Sequence, residues 1–264
     1  MRPYLHLVAS EFRRQATYRL ALAAGVFTNG VFGLLRAGVM LAAVAGAGGM
    51  AGGYDRDDAI AYVLWGQALI GAIPLWSWSE VATRVRTGDI AVDLARPMDL
   101  QLYWWCRDLG RAGMQFLGRG IPILLIGTLL LPVVWPTAPR TYLLGLASLL
   151  LGLAVNFVAR YGMNLISMWT LDVAGYMIAY GLLVQLLSGF FVPVGFFPPF
   201  LQAIAHNSPF PSMYQTPIDL LTGRVDGVDA LRLLAVQVGW LLVLLVITRV
   251  AQHFGTRKLV IQGG

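Results

Sequence analysis

Ten of the chain's 19 basic and 13 acidic residues fall in one short stretch: Glu80, Arg84, Arg86, Asp89, Asp93, Arg96, Asp99, Arg107, Asp108 and Arg111. Apolar runs long enough to cross a bilayer flank it on both sides. The chemistry such a segment can do is docking, because interspersed charges of both signs fix the register of a partner surface. Residues 80–111 therefore read as a solvated loop at the membrane surface, gripped from outside it. The alternative is a juxtamembrane loop whose arginines are held by anionic lipid.

Covalent chemistry is poorly provided for. A phosphate-binding loop needs glycines followed by Lys and Ser or Thr, and the one lysine, Lys258, stands in Thr256-Arg257-Lys258-Leu259. ATP hydrolysis is not expected of this chain. His6, His206 and His253 lie on separate segments and Cys106 is alone, so neither a metal set nor an internal disulfide is expected. No Ser, His and carboxylate group together, so no catalytic residue is assigned and the chain is read as a non-enzyme without its own cofactor.

The elements that would position the charged stretch follow from composition. With 58% hydrophobic and 12% charged residues, and a mean hydropathy of +0.69, the chain lacks the polar surface of a water-soluble globule. It reads as an all-α membrane protein. About 20 apolar residues are needed per crossing, which gives six spans: 20–45, 59–79, 118–135, 142–159, 174–192 and 230–251. The net charge of +6 sits at span ends, and a nucleic-acid partner is not expected. One face receives Arg2, Arg13, Arg14, Arg19, Arg84, Arg86, Arg96, Arg107, Arg111, Arg257 and Lys258; the other receives Arg56, Arg140 and Arg224. The positive-inside rule then puts both termini and the charged loop in the cytoplasm. The first apolar run is too long for a secretory h-region, so no cleavable leader is expected.

Residues 1–19 carry Leu5, Val8, Ala9, Phe12 and Ala16 at helical spacing among basic residues, which suits an interfacial amphipathic helix. No charge occurs from Val173 to Ile218, yet Pro193, Pro198, Pro199, Pro209, Pro211 and Pro217 interrupt the second half. Two continuous helices are excluded there by proline's missing N–H and ring clash. One span followed by a re-entrant run of short helices, 193–223, fits instead, packed where protein satisfies its backbone. An apolar surface loop is the alternative.

Within the spans polar residues are sparse and no Asp or Glu falls clearly inside one, which argues against ion coupling. Arg36 is the one strong charge at depth, facing a dimer interface or translocation route, or snorkelling to headgroups. Arg119, Arg160, Arg232 and Arg249 read as snorkelling span ends. Trp65, Trp76, Trp78, Trp104, Trp105 and Trp135 read as interfacial anchors. Gly25, Gly30, Gly33 and Gly38 permit close helix approach within the subunit or across a dimer.

Three features in order along the chain, the amphipathic N-terminal helix, the loop TRVRTGDIAVDLARPMD and the segment SGFFVPVGFFPPFLQAIAHNSPFPSMYQTP, resemble the membrane subunit of a type-2 ATP-binding cassette (ABC) transporter. The resemblance covers essentially the whole of residues 1–264 as one permease domain. It implies that Arg84, Arg86, Asp89, Asp93, Arg96 and Asp99 make docking contacts with a separate ATPase, with Gly88 as a turn or cap and Pro97 as a helix stop. It implies an outer gate at Gly189, Pro193, Pro198, Pro199 and Pro209, lined by Phe190, Phe191, Phe196, Phe197 and Phe200. ATP and Mg would sit on the partner ATPase subunits. A second permease copy or a related permease, membrane lipid, and export of an amphiphilic or hydrophobic substrate across the plasma membrane of a bacterial cell complete the expectation. An ion-coupled carrier and a membrane enzyme or scaffold are the alternatives.

Overall fold

The computed structural model describes residues 2–76, 79–170 and 172–259. Its regular elements, among the described residues, are helices: α1 (Arg2–Ala16), α2 (Arg19–Gly46), α3 (Arg56–Leu69), α4 (Glu80–Thr87), α5 (Ile90–Leu94), α6 (Leu100–Gln115), α7 (Ile121–Leu130), α8 (Pro139–Leu165), α9 (Ala174–Leu187), α10 (Pro199–His206), α11 (Phe210–Met213), α12 (Gln215–Leu221) and α13 (Gly227–Lys258).

Four helical stretches are long and apolar enough to cross a membrane: Arg19–Gly46, Leu100–Leu130, Pro139–Met168 and Gly227–Lys258. Of the six spans expected, the second and fifth differ. Each is a 14-residue helix, α3 and α9. At 1.5 Å per residue such a helix rises about 21 Å, short of a hydrocarbon core about 30 Å thick. Asp55 starts α3 by accepting the Asp58 N–H at 2.8 Å, and Asp57 and Asp58 suit its positive end. From Ala59 to Leu69 every residue of α3 is buried, so protein rather than lipid surrounds it.

The third crossing also differs. It was expected to begin at Gly118, but α6 and α7 form one helical rod with the charged stretch continuing into it. A π-helical turn, Phe116–Gly120, joins them: the Ile121 N–H reaches the Phe116 carbonyl, and Pro122 has no N–H to continue regular pairing.

The main core gathers α3, α8, α11 and α12 around Tyr62, Leu69, Leu153, Tyr214 and Ile218. α13 lies along α8, α2 along α3, and α1 along α6. Gly110 lets α1 approach: a Cβ there would stand 2.3 Å from the Val8 carbonyl oxygen. A second cluster, Val81, Ile90, Leu100, Trp104, Phe157 and Tyr161, lies at the charged end of the bundle. Two tryptophans expected as interfacial anchors are core residues instead, Trp65 and Trp104, at 7% and 1% exposure. Trp78 lies outside the described residues.

Candidate functional site

The charged stretch is folded, with two short helices leading into a long one. Arg84 and Arg86 occupy the last turn of α4, where cations suit the helix dipole. Gly88 follows at φ +82°, in the left-handed region that ends helices, with its N–H on the Val85 carbonyl. Ile90 is buried in the apolar cluster and seats α5. Asp93 is 3% exposed. It is paired with Arg84 and, at 3.4 Å, with Arg96, so its charge braces α4 against α5. The Ala82 N–H donates to Asn164 Oδ1 at 3.0 Å and holds α4 on α8.

Asp99 caps α6 by accepting the Leu102 N–H at 2.8 Å, and its other oxygen pairs with Arg249 of α13. Burial raises its pKa, but the Arg249 hydrogen bond and backbone donors outweigh that and hold it below the usual carboxylate range. Of the expected docking residues, Arg86, Asp89 and Arg96 remain exposed at the tip, with Pro97 beside them. Two exposed apolar residues join them, Val92 at 57% and Leu94 at 38%. Reading charge alone passed over both, although apolar residues between charges in a solvated segment are the signal.

Arg107, Asp108 and Arg111 lie on α6 rather than in a loop. Arg107 bridges Glu80 at 3.1 Å and Glu11 of α1 at 3.4 Å, above the Trp104 ring. Burial would raise the Glu11 carboxyl, yet hydrogen bonds from Arg14 and Gln15 and the Arg107 charge leave it lowered. Asp108 is buried between Arg111 at 3.0 Å and Arg160 of α8 at 2.8 Å. Arg111 also donates to the Gly71 and Ala72 carbonyls, while Arg160 donates to Asn156, whose amide reaches the Pro74 carbonyl. This corrects one expectation: Arg160 does not snorkel, being 2% exposed. The pair joins residues 52 apart, so no local spacing announces it.

At the opposite end, α9 stops at Ser188 and Gly189 turns the chain at φ +84°. A Cβ on Gly189 would meet Gln215 Oε1 and the Tyr62 hydroxyl, both at 2.6 Å. The Tyr62 hydroxyl donates to the Gly189 carbonyl at 2.8 Å, and Gln215 accepts the Val194 N–H at 2.8 Å. The prolines fall at starts: Pro198 precedes α10, Pro199 is its first residue, and Pro209 precedes α11, positions with no N–H to lose. Pro193 is buried. Phe190 is buried among Trp76, Phe191 and Tyr214, while Phe191 and Phe200 are exposed and Phe196 and Phe197 half-buried. Asp219, also missed, is buried and accepts from Tyr54 at 2.7 Å, Arg224 at 3.1 Å and Gln215 at 3.2 Å.

A polar chain connects the two ends. From Glu11 it passes through Gln15, Gln115 and Arg119 to Asn29, with separations of 3.2 to 3.4 Å. Asn29 donates to the Gln67 carbonyl at 3.3 Å. With the Gln67 amide oriented to satisfy its neighbours, Oε1 accepts from Arg36 at 3.2 Å. Arg36 ends the chain on the Phe190 and Phe191 carbonyls and lies over the Phe190 ring. Its guanidinium therefore holds the start of the segment that follows α9.

The sequence from residue 35 to 263 matches the model of a family described as ABC-2 family transporter protein. The chain belongs to this family. It is an ABC-2 type permease subunit, a multi-pass membrane transport protein. The match contains both the α4–α5 tip and the segment after α9, whereas α1 precedes it. A comparison with curated proteins returns no match. ABC-2 permeases as a family generally pair with ATP-binding subunits. In this permease, His, Cys, Asp and Glu form no metal-holding group among the described residues.

Proposed function

We propose that this permease exports an amphiphilic or hydrophobic substrate across the plasma membrane, driven by a separate cytoplasmic ATPase that docks on α4 and α5. The observation that carries the reading is the tip itself: Arg86, Asp89, Val92, Leu94 and Arg96 exposed on a base made rigid by buried Asp93 and Ile90. A rim of both charges around an apolar centre has the make-up of a specific protein interface. Force applied there reaches α8 through Asn164 and α6 through Asp99.

Arg84 and Asp93 shape the tip rather than touch the partner. Basic residues collect at this end, so it and both termini face the cytoplasm. α3 and α9 serve as the two further crossings, lengthened by the turns that follow them, and 193–223 folds back into the outer half of the membrane as a gate. Gly189 and Pro193 fix the path of that gate, Pro198, Pro199 and Pro209 start its helices, and Phe190, Phe191, Phe196, Phe197 and Phe200 give it apolar walls. Two copies, or one copy with a related permease, enclose the route.

Co-purification with the ATPase tests the docking face. Asp89→Lys and Arg96→Glu should each reduce complex recovery and ATP-driven flux by about tenfold, the scale of a rim charge turned to repulsion, about 1.4 kcal/mol. Both variants binding and transporting as the parent does would refute the assignment. An ion-coupled carrier would have two candidate groups among the described residues, the buried carboxylates of Asp108 and Asp219. That reading predicts flux that survives removal of the ATPase and collapses with the proton gradient.

A further inference from the structure

Arg119 lies on the π-helical turn between α6 and α7, and among the described residues it has no carboxylate partner. Two neutral side chains receive its terminal nitrogens, Gln115 at 3.4 Å and Asn29 at 3.2 Å, while Nε has no acceptor. The guanidinium lies against α2 where Gly25 leaves room, since a Cβ there would come within 2.3 Å of Nε. Arg36, the other guanidinium on this polar chain, is already taken up by two backbone carbonyls and Gln67. Arg119 thus carries a positive charge, at the edge of the apolar layer, that the protein does not neutralise.

Beyond Asn29 and Gln67 a shallow apolar groove of about 40 Å³, open along one side, runs between α2, α3 and α7, away from the charged end. Gly30, Gly33, Leu34, Ile126 and Leu130 are among its walls, and Ile126 and Leu130 are exposed on the membrane side. A Cβ on Gly30 would meet nothing within 4 Å, so the groove is open where that residue faces it. A lone cation at one end of a hydrocarbon-lined slot matches a molecule with an anionic head and an apolar tail. The charge sits about six residues, roughly 9 Å, along α2 from Arg19, the depth at which a lipid headgroup meets its chains.

We infer that this groove seats a short stretch of one acyl chain of an anionic phospholipid from the leaflet at the Arg19 end, the rest of the chain lying in the bilayer, with a phosphate oxygen accepting from Arg119. The site is distinct from the docking tip and the outer segment, and it does not depend on the direction of transport.

Native mass spectrometry of the purified full chain, titrated with phosphatidylglycerol or phosphatidylcholine, tests it. The parent should retain one tight phosphatidylglycerol and prefer it over phosphatidylcholine by about fivefold, the scale of one arginine at an anionic surface. Arg119→Gln should abolish the preference while leaving chain binding, and Arg119→Lys should keep part of it. Gly30→Leu, filling the groove where space is open, should weaken both lipids equally. A preference unchanged in Arg119→Gln, or lipid retention unchanged in Gly30→Leu, would overturn the inference. Should Arg119→Gln fail to fold, Gly30→Leu decides it. Loss of transport with these lipid affinities intact would bear on the permease mechanism and not on this site.

Discussion

Asp108 and Arg160 show how a charge survives inside an apolar bundle. Each is costly alone, and together with Arg111 and Asn156 they satisfy one another. Asp108→Asn should destabilise the permease by about 3–5 kcal/mol because Arg160 would be left buried and uncompensated. The paired replacement Asp108→Leu with Arg160→Met should lose much less; equal losses in detergent unfolding would refute the pairing. Glu11 and Asp99 make a different prediction, about pH. Both carboxyls are lowered in the folded chain, so the folded state binds protons less readily than the unfolded one. Their stabilisation is full above the ordinary values of 4.5 and 3.8 and fades as pH falls through the lowered folded values. The distance between spin labels on exposed Ser10 and Thr83 should hold at neutral pH and lengthen only in acid, as α1 leaves α6.

At the scale of elements, α1 is more than a membrane float. One face is packed on α6 by Gly110, Phe12 and the Glu11–Arg107 pair, while Arg2, Leu5, His6 and Arg13 line its outer face. The sequence read this helix correctly as amphipathic, but an apolar stripe does not say whether lipid or another helix covers it. Gly110→Leu should force α1 away, since its Cβ alone would collide with the Val8 carbonyl. The same label pair should then report the acid-like distance at neutral pH, and an unchanged distance would argue against the packing. The α6–α7 rod shows the reverse situation. Its charged half looked like a loop because hydropathy counts residues, whereas helix continuity depends on backbone pairing, which the π turn preserves around Pro122.

At the scale of the molecule, the polar chain from Glu11 to the Phe190 carbonyl spans the distance from the proposed docking end to the proposed gate. Arg36 is its last member, and it donates to the Phe190 and Phe191 carbonyls of its own chain. Arg36→Gln should loosen the outer segment and raise passive solute leak through vesicles without nucleotide several-fold, with Gly189 and Gln215 still in place. Leak at the parent level would exclude Arg36 as a latch.

Composition and the order of the apolar runs determined the class of protein, and the loop and proline-rich strings determined the family, because both signals are local along the chain. The short helices after α9 were legible for the same reason, proline being a local veto. Which charges stay exposed was not legible. Asp93 and Asp89 are four residues apart with the same side-chain chemistry, yet one is buried by its arginines and the other is exposed. Nor could spacing reveal Asp108 with Arg160, or Glu11 with Arg107, since only packing of separate helices brings such groups together. Burial is a property of the neighbours, and the tertiary structure alone chooses them.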